Sequence, residues 1–599
     1  MQAAAEPPIG GTTAEKPPGI SLIVVLVLFL VAVAIVNPFR EMPYDDDWAF
    51  SETAQHYLST GRYRLNEWLA PNMPFQTAWG ALFCLPFGFS FSALRISTIV
   101  LAIFGLLAFR ALALEHGLSR GTANLLTFCL ASSPLVFKLT LTYLSDVPFL
   151  ALTLISLLLY TRALRGGRWL DWAAASATTS ATIFVRQFGI AILGGLAIVW
   201  LYDRQRFQRF GHYLVGAALP IVSTLWQLQQ GWNHSNWAQA LLLQRQKTFF
   251  WGGSFLKQLP WRVPVLVEYI GWFLLPVALV AVFAVGRSLR SPSPDAESGP
   301  RSSRSRTRLV VELTGWLILL LASVAYGACV LNVPWLMPYM AWFFEILKLL
   351  GLKAELPATL LTIASGVLFA HFLVRRYVVA ANRPRLEQGI LDAATLVSLL
   401  MALVFFVFGD KDVLIFLPLA AIAVAKQAEP VLLKHRRLVF AACLFMLAGS
   451  AVWTREDLLR NQAMWTLAER VHAGNVPSEK IYAGWEWYGF HHFDDYARAV
   501  PPVATTEFAD FFGPWMDRQR AQAEYLIVHK PDLPKDERYE TVAEFRYFSV
   551  FSRGFETFYA VKRIRRPERL GRGRRRGGAW RLGRTLTRGL TDSLEVSSG

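Results

Sequence analysis

Residues 20–39 read ISLIVVLVLFLVAVAIVNPF, and the chain leaves them through Arg40-Glu-Met-Pro43-Tyr44 into Asp45-Asp46-Asp47. About 20 consecutive apolar residues suffice to cross the hydrocarbon core of a bilayer, so the run reads as a membrane-spanning helix. No small-residue cleavage site follows it, and Asn37-Pro38-Phe39-Arg40 comes directly after, so the helix is expected to be retained rather than removed as a signal peptide. Three adjacent carboxylates then stand at the membrane–water boundary. Like charges this close oppose one another's ionisation, so either bulk solvation or a functional demand must hold them.

Working outward, the 599 residues are 54% hydrophobic and 14% aromatic, which is too long and too apolar for one soluble core. Further apolar runs lie near 95–113, 120–137, 147–161, 170–185, 187–202, 211–229, 264–286, 309–331, 357–375, 391–408, 412–427 and 438–453. The expected fold is therefore a polytopic α-helical membrane protein of about thirteen transmembrane helices. Its domains read as a disordered leader (1–19), a membrane domain (20–453) whose first external loop is 40–94, an external soluble α/β domain (454–562) and a basic tail (563–599). The α/β reading rests on the short runs Lys480–Trp485 (KIYAGW), Tyr525–Val528 (YLIV) and Phe558–Val561 (FYAV) between polar stretches. Residues 75–93, interrupted by Pro86 and Gly88, read as interfacial or re-entrant, and residues 51–70 as amphipathic surface helices.

Short cytoplasmic loops are enriched in Lys and Arg. With residues 1–19 inside, the inner loops carry Arg162/Arg165/Arg168, Arg204/Arg206/Arg209, the Ser/Arg-rich segment 287–308, Arg375/Arg376/Arg383/Arg385 and Lys426/Lys434/Arg436/Arg437. Asp45–Asp47, Asp146 and everything after 454 then face outward, which predicts an inner (plasma) membrane protein with its site on the periplasmic side. The net charge of +17 is concentrated in the tail, where Lys562–Arg588 holds twelve Lys or Arg against the single Glu568. On a membrane protein such a tail is expected to meet anionic lipid, not nucleic acid. Cys84, Cys129, Cys329 and Cys443 lie in apolar runs at no metal-ligand spacing, so no disulfide is expected.

Several residues have the chemistry for a site. Aromatic neighbours Tyr44, Trp48 and Phe50 would partly dry the triplet, raising a carboxylate's pKa and strengthening it as a general base. Asp146, ahead of Pro148, is either a first-turn helix acid or a second acid on the same face. Arg186 sits in a turn between apolar runs, where a guanidinium snorkels or meets an anion such as phosphate. Lys138 and Lys411 are further cations on that face, the latter within Asp410-Lys411-Asp412. His491-His492 with Asp494-Asp495 has no further ligands at metal spacing and reads as a solvated loop. No Walker loop, dinucleotide fingerprint, HExxH or nucleophile elbow appears in a suitable context.

Asp46-Asp47, Glu52 and Leu58-Ser-Thr-Gly61, then Phe87-Gly88, Ala93-Leu94-Arg95, Ser133-Pro134 and Ser145-Asp146-Val147-Pro148, together resemble the GT-C membrane glycosyltransferases, specifically bacterial relatives of protein O-mannosyltransferases and the lipid A aminoarabinose transferase. The likeness covers roughly residues 20–200. Two departures stand out: Asp47 replaces the Glu of the family's Asp-Glu pair, and Asn72-Met-Pro-Phe-Gln76 replaces a Lys-Pro found in some relatives. The later Arg-Tyr before Leu-Pro is also altered, to Lys411-Asp-Val-Leu-Ile-Phe-Leu-Pro418.

The resemblance implies inverting transfer of a sugar from a polyprenyl-phosphate-linked donor to a lipid, glycan or protein acceptor at the external face. It implies catalytic roles for Asp46 and Asp146; on chemical grounds Asp46 is expected to be the base with Asp47 orienting it, Lys138, Arg186 and Lys411 to meet the donor phosphate, and Asp45 and Glu52 to be further substrate contacts. No cofactor is required, and the triplet has donors enough for a divalent cation, so metal stays open. A transporter of lipid-linked sugars or a non-catalytic envelope scaffold would share the loops and polar residues; the first would place its acids at mid-bilayer.

Overall fold

The computed structural model describes residues 20–233, 236–252, 269–290, 355–378, 384–405, 410–502, 509–529 and 538–564, with isolated positions between 256 and 268 and at 533. The leader 1–19, the span expected at 309–331 and the tail from 565 lie outside them.

The chain is mostly helical. In order come α1 (Leu22–Val36), α2 (Asp47–Thr60), α3 (Pro74–Cys84), α4 (Phe91–Glu115), α5 (Arg120–Ser132), α6 (Pro134–Thr140), α7 (Asp146–Gly166), α8 (Trp169–Ile183) and α9 (Ile190–Tyr202). Then follow α10 (Phe210–Asn233), α11 (Trp237–Trp251), α12 (Leu275–Arg290), α13 (Glu355–Val378), α14 (Gly389–Val404), α15 (Leu417–Lys434), α16 (Arg436–Ala473), α17 (Gly484–Ala499) and α18 (Ala509–Gln522).

Helix boundaries follow local chemistry. The Ser21 hydroxyl accepts the Val24 N–H at 3.2 Å to start α1, and Asn37 ends it in the left-handed region at φ 60°. Gly61 closes α2 at φ 68°, a conformation glycine adopts without steric cost. The expected surface helix 51–70 thus begins earlier, at Asp47, and stops at Thr60. Residues 75–93 hold most of the 11-residue helix α3, which is too short to cross, then a turn and the start of α4.

Among the described residues, five helices are long and apolar enough to cross a membrane: Phe91–Glu115, Asp146–Gly166, Leu386–Val404, Val413–Lys434 and Arg436–Ala473. A sixth arises if α5 and α6, bent by 65°, count as one span. Ser133-Pro134 makes that bend, because a proline removes an N–H and clashes with the preceding turn. Some expected spans are shorter than the apolar runs: α1 has 15 residues, α8 has 15 and α9 has 13.

The bundle has chemically distinct ends. At one, Arg162 and Arg165 pair with Glu115, Gln388 donates to the Glu115 carbonyl at 3.0 Å, and Ser119 donates its N–H to Glu429 at 2.8 Å. Lys426 donates to the His116 carbonyl, and Arg209 to that of Leu164 at 3.0 Å. The basic loops therefore meet at one end, and the Asp45–Asp47 turn lies at the other end of α4. Helix α4 packs closely on α7 because Gly105 faces Ala151: a Cβ at 105 would lie 2.8 Å from the Ala151 Cα.

Helix α16 runs for 38 residues, about 57 Å at 1.5 Å per residue, so it projects well past a ~30 Å hydrocarbon core. A four-stranded sheet, β1 (Ile481–Tyr482), β2 (Tyr525–His529), β3 (Arg538–Ser549) and β4 (Gly554–Ile564), leans on that projection. Its order is β1-β2-β4-β3, with β1 parallel to β2 and the other pairs antiparallel. The stretch expected as the strand KIYAGW is strand only at Ile481–Tyr482, and Gly484 then opens α17. Cys84, Cys129 and Cys443 are buried free thiols, and Cys329 lies outside the described residues.

Candidate active site

The turn between α1 and α2 separates its three acids. Asp45 adopts φ 56°, a left-handed conformation that Asp tolerates better than most residues, and α2 begins two residues later. Side chains entering a helix point about 100° apart, so neighbouring acids meet different surroundings.

Asp47 turns inward. It is 1% exposed, accepts the N–H groups of Tyr44 at 2.5 Å and Tyr143 at 3.3 Å, and lies 4.0 Å from the buried Arg95 guanidinium. Burial pushes its pKa up to about 7 against the pull of Arg95. The structure thus gives Asp47 an architectural setting, tying the turn to the segment before α7.

Asp46 is half-buried, and its Oδ1 accepts two indole N–H groups, Trp68 Nε1 at 2.9 Å and Trp485 Nε1 at 3.0 Å. Burial, then the charge of Asp45, raises its pKa to about 6, with Lys411 and the indoles opposing. Both donors are held by aromatic packing: the Trp68 and Trp485 centroids are 4.8 Å apart, and each packs on Trp48. Trp48 reaches α17 because position 489 is glycine, where a Cβ would collide with the indole.

Asp45 pairs with Lys411 Nζ at 3.1 Å, and its N–H donates to Glu486 Oε1 at 3.2 Å. Glu486 also accepts from Asn461 at 3.1 Å, and burial pushes its pKa up to about 7. Lys411 in turn lines a small cleft together with Asp146 and Arg186, walled by Phe149, Phe188 and Ile415. Arg186 donates to Asp146 at 2.7 Å and to the Ser145 hydroxyl at 2.7 Å. Asp146 is 2% exposed at the first position of α7, so it holds Arg186 at the cleft wall.

The remaining candidates sit elsewhere. Lys138 is paired with Asp457 at 2.6 Å, and the Tyr44 hydroxyl donates to the same carboxylate at 2.6 Å. Glu52 accepts from Asn66 at 2.8 Å and does not line the cleft; burial, then Asp494, pushes its pKa up to about 8. His491 and His492 lie within α17, not in a solvated loop, and His491 packs on Trp487 with centroids 4.2 Å apart. Among the described residues no group of three or more His, Cys, Asp or Glu is arranged to hold a metal ion.

Three residues that complete this arrangement escaped the sequence: Trp68, Trp485 and Glu486. Trp485 and Glu486 follow Asp46 by more than 430 positions, so only the tertiary fold reveals them. Their sole local signal is the aromatic density of GWEWYGF at 484–490.

No family model matches the chain, and no curated protein matches it in sequence. Among solved structures it is similar to ArnT from Cupriavidus metallidurans bound to undecaprenyl phosphate, at 14% identity and a TM-score of 0.41, over 90% of this chain and 97% of that one. It is also similar to the archaeal oligosaccharyltransferase AglB from Archaeoglobus fulgidus in complex with an inhibitory peptide and a dolichol-phosphate, at 12% identity and a TM-score of 0.42, over 85% of this chain and 69% of that one.

Proposed function

We propose that this protein is a multi-pass membrane glycosyltransferase that moves a sugar, with inversion, from a polyprenyl-phosphate-linked donor to an acceptor hydroxyl at the external face of the inner membrane. The observation that carries this reading is Asp46: a carboxylate tuned to about 6 and held by two indole N–H groups, next in sequence to Asp45, which pairs with Lys411 in the wall of a cleft that also holds Arg186.

The chemistry follows from those groups. Asp46 takes the proton of the acceptor hydroxyl as its oxygen attacks the anomeric carbon. The bond from that carbon to the phosphate oxygen breaks, and the lipid phosphate leaves with the electron pair. Lys411 and Arg186 stabilise the developing negative charge, the fork of Arg186 matching phosphate oxygens, and the aromatic wall suits the first units of a polyprenyl chain. Asp45 and Asp146 keep these cations in place through their ion pairs. The basic loops gathered at the opposite end support a cytoplasmic placement of that end by the positive-inside rule, and with it an external Asp46.

The test uses purified protein in nanodiscs with host envelope extract and a panel of radiolabelled polyprenyl-phosphate hexoses and pentoses. Release of sugar from one donor, with label appearing in an acceptor, is the expected result. Movement of intact lipid-linked sugar across the bilayer without release would replace the transferase with a transporter.

Trp485 carries a narrower prediction. Trp485→Phe keeps the ring but removes one N–H donor from the Asp46 carboxylate, and losing a hydrogen bond to the charged form raises its pKa. The acid limb of the kcat/KM profile is expected to move to higher pH, with little change in thermal stability. An unmoved limb would mean that Trp485 packs without tuning Asp46.

A further inference from the structure

The β3–β4 hairpin leans on the projecting part of α16 with one face, and its other face changes character along its length. Tyr547, Ser549 and Phe558 are buried on the α16 side. On the outward face, Arg546 is exposed and lies over the Phe555 ring at 5.3 Å. Next toward the tip comes the cross-strand pair Phe548–Phe555, 49% and 67% exposed with centroids 5.8 Å apart, and then Val550 at 43%. Arg553 stands exposed in the connecting turn.

The height of this tip is fixed by its contacts. Phe551 packs on Trp453 with centroids 5.4 Å apart, and the Val550 N–H donates to Glu456 at 3.0 Å. Trp453 is the last residue of the apolar stretch of α16; Thr454-Arg455-Glu456-Asp457 follows at once. A tryptophan at such a transition marks the membrane–water interface. The exposed apolar tip is thus tied to the part of the molecule where the lipid headgroups begin, and its two arginines flank it as cations do at an anionic surface.

We propose that the hairpin tip, Phe548–Phe555, lies in the headgroup region of the outer leaflet, so that the C-terminal segment is anchored to the bilayer as well as to α16. The same sheet leads through β1 into α17, and the anchor therefore holds Trp485 and Glu486 at a constant height over the Asp45–Asp46 turn. This inference rests on the membrane-spanning reading of α16 and not on the transferase activity.

A spin label at Phe555→Cys, on a Cys329→Ser background whose buried thiols stay unlabelled, tests it in nanodiscs of phosphatidylcholine and phosphatidylglycerol. The control is Val542→Cys, 52% exposed and about 20 Å further from the tip at 3.3 Å per residue. The expected result is that oxygen relaxes the label at 555 more than an aqueous nickel chelate does, with the reverse at 542. Equal access of the chelate to both labels would overturn the proposal. So would a label at 555 shielded from both relaxants, which means coverage by protein; light scattering would then identify a second copy. A label at Val550→Cys reads the same surface if the Phe555 variant folds poorly.

Discussion

Asp46→Asn is expected to lower kcat about 10²–10⁴-fold, the usual contribution of a positioned general base, while the donor KM and the folded yield stay near those of the wild type. The side-chain oxygen of asparagine still accepts from Trp68 and Trp485, so the geometry survives and only the proton acceptor is lost. The pH dependence supplies a second readout. Asp46 titrates near 6 because burial and Asp45 disfavour its charged form. A base works only when ionised, so wild-type kcat/KM is expected to rise as pH increases through about 6, and the residual activity of the variant should lack that limb. A variant with full activity and an unchanged limb would remove Asp46 as the base. Rate assays on matched detergent-purified samples, with thermal unfolding as the folding control, decide the matter.

The acids show what a sequence can and cannot deliver here. Their position after a membrane-length apolar run is plain, because both the run and the charge are local properties. Which acid meets which surroundings is not, since it depends on the left-handed turn at Asp45, which sends Asp46 to the aromatic cluster and Asp47 into the core. Arg186 and Lys411 were recognisable as cations in apolar settings, and the fold brings both to one cleft. Their pairing with Asp146 and Asp45 was hidden by separations of 40 and 366 positions. Around Trp485 only the aromatic density of residues 484–490 stands out, and it names no role, because an indole N–H donor becomes meaningful only when the acceptor is known. Apolar windows also overstate helix length: α1 stops at Asn37, and Ser133-Pro134 bends what looked like one span, so a hydropathy profile cannot tell a crossing from a broken helix.

Arg95→Met is expected to give the largest loss of stability. Arg95 is 0% exposed; its guanidinium donates to the carbonyls of Pro38 at 3.4 Å, Arg40 at 2.6 Å and Met42, and lies 4.0 Å from Asp47. Those carbonyls belong to the irregular segment between α1 and α2, where those of Pro38 and Arg40 also accept the N–H groups of Arg40 and Met42. Methionine fills much of the same volume but removes the charged donor from three carbonyls, of which those of Pro38 and Arg40 keep a backbone N–H, and leaves a buried carboxylate without its cation. Removing one partner of a buried pair typically costs about 3–5 kcal/mol, a large share of the stability of an ordinary domain. The expected outcome is a steep fall in monodisperse yield and unfolding temperature. Arg95→Lys should recover only part of it, because an ammonium lacks the planar fork that spans several carbonyls. The double variant Arg95→Met/Asp47→Asn separates the two contributions. If the stranded charge dominates, it will be more stable than Arg95→Met alone; if the carbonyls dominate, the two will unfold together. A single variant as stable as the wild type would show that the turn carrying Asp46 is held by its aromatic packing and not by this guanidinium.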